Sequence, residues 1–260
     1  MGILLAINIG NSEILLGFVR EDGSMETASL ANDKFRTTDE YACGIHALMS
    51  LRGISPADIT GAICSSVAPA ATESIRRAVQ LLCGFRPHLL GAGVKTGLNI
   101  LTDDPTQLGG DLVASAIGAL KAYRPPLILI DFGTATTFSV LNADGAYIGC
   151  AIAPGVTLSA EALSDGASLL PHFAPTAPKK CIGTNTMESM QSGCIYGSVA
   201  MIDGMIDRMC AELGAKASVI ASGSSADSII PLCSHKITRD DTLLLSGLAE
   251  IYRKNQRKVK

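Results

Sequence analysis

Leu127-Ile128-Leu129-Ile130-Asp131-Phe132-Gly133-Thr134-Ala135-Thr136-Thr137 decides the fold of this 260-residue chain. Its four leading aliphatics read as a buried strand, and Asp131 to Thr137 reads as a polar turn leading into a second strand, Phe138 to Leu141. Asn142-Ala143-Asp144-Gly145 is a turn signal before a third apolar stretch, Tyr147 to Ile152. The same order opens the chain. Ile3-Leu4-Leu5-Ala6-Ile7 is an apolar run, Asn8-Ile9-Gly10-Asn11-Ser12 is a turn, and Ile14 to Val19 returns. An apolar strand, a short acidic or amide residue, glycine, a hydroxyl residue and a return strand thus occur twice. The repeat predicts two similar domains, residues 1–120 and 121–260, facing each other across a cleft.

The segments between the repeats carry helical spacing. Thr38-Asp39 caps a stretch whose Ile45, Leu48 and Met49 share a face, stopped by Gly53. Gly61 to Val67 reads as a strand ending at Pro69, and Ile75, Ala78, Val79 and Leu82 mark a helix closed by Gly84. Val113, Ala116, Ile117 and Leu120 mark another, beginning near Asp111 and ending before Pro125. A long helix starts at Thr186, with Met190, Ile195, Val199, Ile202, Ile206 and Met209 inward. Strands alternating with helices define an α/β fold.

Composition narrows the functional classes. With 47% hydrophobic and 17% charged residues the chain can bury a full core, and a net charge of −3 gives no pull toward nucleic acid. The basic residues Arg253 to Lys260 read as a solvated helix end. Asn8, Asp131 and many glycines interrupt every apolar run, so no membrane span is expected, and Met1 to Val19 has neither a basic leader nor a cleavage pattern. Eight scattered cysteines suit small hydrophobes in a reducing, cytoplasmic setting better than disulfides or a metal centre. Small molecules and other subunits remain as partners.

Several residues are candidates for chemistry. Gly10 with Asn11 and Ser12, and Gly133 with Thr134, sit at strand-to-strand turns whose amides and hydroxyls can meet an anion. Singly, each reads as an ordinary hairpin, and the repetition is what points to a shared phosphate. Asp131 ends its strand where a carboxylate meets water, a cation or a phosphate loop, or simply caps the turn. Asp111, after Gly109-Gly110, reads on sequence alone as a helix-capping aspartate. Gly223, in Val219-Ile220-Ala221-Ser222-Gly223-Ser224, ends a strand in a small-residue turn against which a flat ligand can lie. The four histidines pair with no serine or cysteine and read as structural or surface residues.

Taken together these motifs resemble the type III pantothenate kinases, members of the actin and hexokinase superfamily. The resemblance rests on Ile9-Gly10-Asn11-Ser12, Thr38-Asp39-Glu40-Tyr41, Ser65-Ser66-Val67-Ala68-Pro69, Val94-Lys95-Thr96-Gly97-Leu98-Asn99, Gly109-Gly110-Asp111, Ile130 to Thr137, Pro154-Gly155, Asn185-Thr186 and Met190-Gln191-Ser192-Gly193. It implies duplicated actin-like, ribonuclease H-like domains that hold ATP in the central cleft. The turns at Asn8 to Ser12 and at Gly133-Thr134, together with Gly223, would bind the nucleotide with magnesium. Asp111 would be the general base, and Asp131 would hold a monovalent cation, potassium or ammonium. Thr102, Gly109, Gly110, Leu112 and Thr186 would line the pantothenate site, and the chain would form a homodimer. The product would be 4′-phosphopantothenate, at the entry to coenzyme A synthesis.

The chain departs from the family's pattern at four of these places. Asn8 stands for the aspartate of D-x-G-N-T and Ser12 for its threonine, Thr102 for a tyrosine, and Leu112 for the arginine expected to meet the pantothenate carboxylate. Losing such a charge-assisted contact costs about 1.5–3 kcal/mol. Two further functions therefore stand beside the first: phosphorylation of another, less anionic alcohol, and a non-catalytic regulatory role on the same fold.

Overall fold

The repeat in the sequence becomes two five-stranded sheets of identical strand order. The structure is a computed structural model and describes residues 2–33, 35–91 and 93–256, so the basic tail from Arg257 lies outside the described residues. In the first sheet, β1 (Ile3–Ile9), β2 (Glu13–Val19) and β3 (Met25–Ala31) form an antiparallel meander. Parallel strands β4 (Ile59–Ser66) and β5 (His88–Leu89) extend it from β1, giving the order β3-β2-β1-β4-β5. In the second, β6 (Leu127–Phe132), β7 (Ala135–Leu141) and β8 (Tyr147–Pro154) form the meander, and β9 (Ser218–Ser222) and β10 (Ile237–Arg239) extend from β6. That order, β10-β9-β6-β7-β8, is the first sheet's order read from its other edge.

Helices supply the crossovers that parallel strands require. α1 (Thr38–Ser50) precedes β4 and α2 (Pro69–Cys83) precedes β5; α3 is Gly110–Ala122. α4 (Val156–Gly166) and α5 (Thr186–Leu213) precede β9, α6 (Ala226–Ile229) precedes β10, and α7 (Leu243–Gln256) is the last element. The cap of α1 is Thr37 rather than the expected Thr38-Asp39. Thr37 Oγ1 accepts the Glu40 amide while the Glu40 carboxylate accepts the Thr37 amide. Gly84 ends α2 at φ 81°, as its glycine suggested. Along α5, Met190, Ile195, Val199, Ile202 and Ile206 are buried, as their spacing predicted.

The chain divides into two compact units, one of Met1–Leu98, Asp104–Lys121 and Thr242–Lys260, the other of Asn99–Asp103 and Ala122–Asp241. The expected second domain, 121–260, therefore loses its end to the first unit, and the physical reason is burial. Alternation along β1 sends Leu5, Ile7 and Ile9 to a core shared with α1 and α2, and sends Ala6 to the opposite face. That opposite face is covered by Ala114 of α3 and by Leu245, Leu248 and Ile251 of α7. Residues 99–103 go to the second unit because the Tyr147 amide donates to Asn99 O and the Leu101 amide to Tyr147 O, each at 2.8 Å.

All eight cysteines are free. Burial pushes the Cys64 thiol up to about 12, whereas Cys43, Cys150 and Cys181 are exposed and so do not serve as core hydrophobes. No described helix is long and apolar enough to cross a membrane.

Two glycines let α3 and α7 touch backbone to backbone. A Cβ at Gly118 would overlap the Leu243 carbonyl oxygen, and one at Gly247 would overlap that of Ala114. Gly247→Ala is therefore expected to destabilise the protein by about 1–3 kcal/mol, read as a lower urea midpoint. A midpoint unchanged from the parent would contradict this crossing.

Candidate functional site

In the first unit the structure gathers Asn8, Gly109, Gly110, Asp111 and Leu112 around the ends of β1 and β4. Asn8 pairs with Ser65 of β4 in register, so both side chains face α3 and α7. The start of α3 lies on Ser65, since a Cβ at Gly110 would sit 3.1 Å from Ser65 Oγ. Asp111 follows in the first helical turn, half-buried, with its Oδ1 accepting the Leu112 amide at 2.9 Å. Asn8 is 8% exposed and Ser65 is fully buried, yet Asn8 Oδ1 and Ser65 Oγ have no hydrogen-bond partner among the described residues. Buried polar atoms without partners cost about 1–3 kcal/mol each, so this pair is an energetic debit beside Asp111.

The turn from Gly10 to Ser12 is held from outside. Gly10 spends its own amide on Glu13 O at 2.9 Å, so this amide closes the turn instead of facing an anion. Asn32 grips the other side, its Nδ2 donating to Gly10 O at 2.6 Å and its amide to Ser12 O at 2.9 Å. The buried Tyr41 hydroxyl lies 2.9 Å from both Asn32 Oδ1 and Asp33 O. Sequence reading missed Asn32. Tyr41 stood only in a quoted motif, and no local pattern announces a bond that spans 22 residues.

In the second unit Asp131 occupies the place that Asn8 holds in the first: penultimate in the central strand and paired with a serine of the neighbouring parallel strand, Ser222. Here the pair is joined, Ser222 Oγ donating to Asp131 Oδ1 at 3.0 Å, and the carboxylate is exposed. Gly133 again closes its turn, donating to Ala135 O at 3.1 Å. The amide of Gly155, the N-cap of α4, donates to Thr134 O at 3.0 Å, so the start of an 11-residue helix abuts the turn. The first amides of a helix lack intrahelical partners and carry its positive dipole end, which favours an anion. Gly155 was quoted in the sequence only as part of a motif, and its contact supplies what the glycine amides cannot.

Gly223 adopts φ 103°, and a Cβ there would lie 2.6 Å from Phe132 O. Both facts require glycine, and both set the turn after β9 against the turn after β6. Thr186 opens α5 and lines a pocket of ≈ 570 Å³ with Leu163, Leu170, Asn185, Ser189 and Met190 among its walls. The Thr184 amide and hydroxyl hold the Glu188 carboxyl below its ordinary range at this mouth. Thr102 belongs to the second unit, and its Oγ1 is buried without a hydrogen-bond partner among the described residues.

No group of three or more His, Cys, Asp or Glu side chains able to hold a metal occurs among the described residues. Two neutral oxygens at Asn8 and Ser65 do not suit a hard divalent ion, whereas the exposed Asp131 carboxylate suits a cation shared with phosphate oxygens.

Two units of one strand order, each with a glycine turn after its first strand, define the duplicated actin-like fold. The activator of the 2-hydroxyisocaproyl-CoA dehydratase from Clostridium difficile, solved with bound ADPNP, shares it with a TM-score of 0.57 at 11% identity, over 99% of this chain and 98% of that one. The sequence profile described as type III pantothenate kinase matches residues 4–208. The type III pantothenate kinase of Geotalea daltonii is 39% identical over 98% of this chain and 99% of its own length. That of Halalkalibacterium halodurans is 38% identical over 97% of this chain and all of its own. The chain belongs to the type III pantothenate kinase family.

Tyr41→Phe removes the hydroxyl that steadies Asn32, and with it the outer support of the first turn. It is expected to cost about 1–3 kcal/mol, measured by urea denaturation, and to speed amide exchange in residues 10–12. Unchanged exchange there would show that Asn32 holds the turn unaided.

Proposed function

We propose that the chain transfers the γ-phosphoryl group of ATP to the primary hydroxyl of pantothenate, yielding 4′-phosphopantothenate and ADP at the entry to coenzyme A synthesis. The observation that carries this reading is Asp111, a carboxylate held at the start of α3 against the end of the strand pair that opens into the first glycine turn. Its Oδ1 is engaged by the Leu112 amide, so Oδ2 is the atom that takes the proton. As the hydroxyl oxygen bonds to the γ-phosphorus, the bond to the β,γ-bridging oxygen breaks and ADP leaves.

In this reading Asn8, Gly10, Asn11 and Ser12 are nucleotide-binding residues. So are Gly133, Thr134 and the first turn of α4, which suit phosphate oxygens, and Gly223 receives the nucleoside. Magnesium, when bound, supplies charge neutralisation for the triphosphate, and the absence of a carboxylate at residue 8 leaves it to the phosphates and Asp131 to hold cations. We assign potassium or ammonium to Asp131. We assign Gly109, Gly110 and Leu112 of the first unit, and Thr102 and Thr186 of the second, to recognition of the acceptor. A cytoplasmic homodimer, with α5 at its interface, completes the proposal.

Purified protein is expected to release ADP only when ATP, pantothenate and a monovalent cation are all present. ADP release that ignores pantothenate would refute the acceptor. Asp111→Asn keeps an oxygen for the Leu112 amide, so stability should hold while kcat falls by about 10²–10⁴; full activity would remove Asp111 from its role. Leu112→Arg is expected to lower the KM for pantothenate about tenfold and leave that for ATP unchanged.

A further inference from the structure

The second unit contains a charge network that none of the motifs includes. Arg239, the last residue of β10, donates from Nε to Asp241 Oδ2 at 2.7 Å and from its Nη1 to Asp227 Oδ1. Asp227 lies in the first turn of α6, just beyond Gly223. Asp241 uses its other oxygen, Oδ1, to accept the Gly223 amide at 3.2 Å. The Asp240 amide donates to Ala221 O at 2.8 Å, which keeps this segment alongside β9. One guanidinium therefore holds two carboxylates, and these grip the turn at its glycine and at the helix that follows.

The grip acts on a conformation that needs help. Gly223 sits at φ 103° with the Phe132 backbone in the space a Cβ would need, and glycine loses more freedom on ordering than any other residue. A single neutral hydrogen bond to an exposed amide is weak, whereas an acceptor fixed on a planar, two-pronged donor is already oriented before the amide arrives. The two carboxylates in turn raise the Arg239 pKa above its ordinary value, so the guanidinium stays charged throughout the working range. Its Nε and Nη1 are both committed to carboxylates, which makes it a holder of the turn and not a phosphate ligand.

We propose that Arg239, acting through Asp241, is a positioning residue that fixes the Gly223 turn in the shape that receives the nucleoside part of the nucleotide. This rests on the assignment of Gly223 to the nucleotide site. Asp241 is the coupling atom set: with Arg239 gone, its carboxylate is free to rotate into solvent and the Gly223 amide loses its acceptor. The effect is confined to one substrate. Nucleotide affinity falls, acceptor affinity and the transfer step do not.

Arg239→Met and Arg239→Lys test it in the full-length protein. Because all three side chains are partly exposed, the expected loss is modest: the KM for ATP rises about three- to tenfold in Arg239→Met. The kcat and the KM for pantothenate stay within about twofold of the parent, and lysine, which keeps the charge without the fork, recovers part of the loss. Amide exchange of the 218–228 segment, measured without nucleotide, quickens in Arg239→Met by a similar factor. Unchanged exchange in that segment overturns the proposal whatever the kinetics, and so does faster exchange with an unchanged KM for ATP. A parent protein that binds no nucleotide by calorimetry fails differently. It removes the nucleotide assignment of Gly223, and with it the proposed role of Arg239, while the exchange result still reports whether the network holds the turn.

Discussion

The backbone of Phe132, Gly133 and Thr134 is clasped between two residues that have no side chain. A Cβ at Gly155 would overlap the carbonyl oxygens of Gly133 and Thr134, and one at Gly223 would press on Phe132. The setting of the turn after β6 follows from this fit. The start of α4 reaches the turn because Gly155 allows it, and the turn after β9 closes on the other side because Gly223 does. A methyl group at either place would move one wall by more than close-packed backbone tolerates.

The duplicated architecture makes its own asymmetry visible. Asn8 with Ser65, and Asp131 with Ser222, are the same pair in the two sheets, at the ends of the same two parallel strands. In the second unit the pair carries a charge, is joined by a hydrogen bond and faces water. In the first it is neutral, unjoined and buried under the start of α3. The two pairs therefore differ in what they can attract, since a carboxylate in solvent draws cations and a buried amide does not.

Much of this was legible in the sequence, because the signals were local. The strand run Leu127 to Ile130, the turn residues around Gly10 and Gly133, and the spacing along α5 each depend on neighbours within one element. The duplicated fold followed from seeing that run and turn twice. The failures are contacts between distant residues. Nothing near Thr242 states that Leu245 and Leu248 belong under β1, and nothing near Asn32 states that it will hold Gly10. The glycine amides were expected to face an anion, but hairpin geometry claims them first. Arg239 escaped notice because an arginine followed by two aspartates looks like ordinary surface charge until the turn it grips is in view.

The return of α7 to the first unit sets an order of events during synthesis. Residues Ala122 to Asp241 form one continuous stretch that, with only the short Asn99–Asp103 strip before it, is complete before α7 has left the ribosome. The first unit begins at the amino terminus, yet one face of its sheet stays bare until Leu245, Leu248 and Ile251 arrive. The domain begun first is thus finished last, and its apolar face is without its final cover while almost the whole chain is being made.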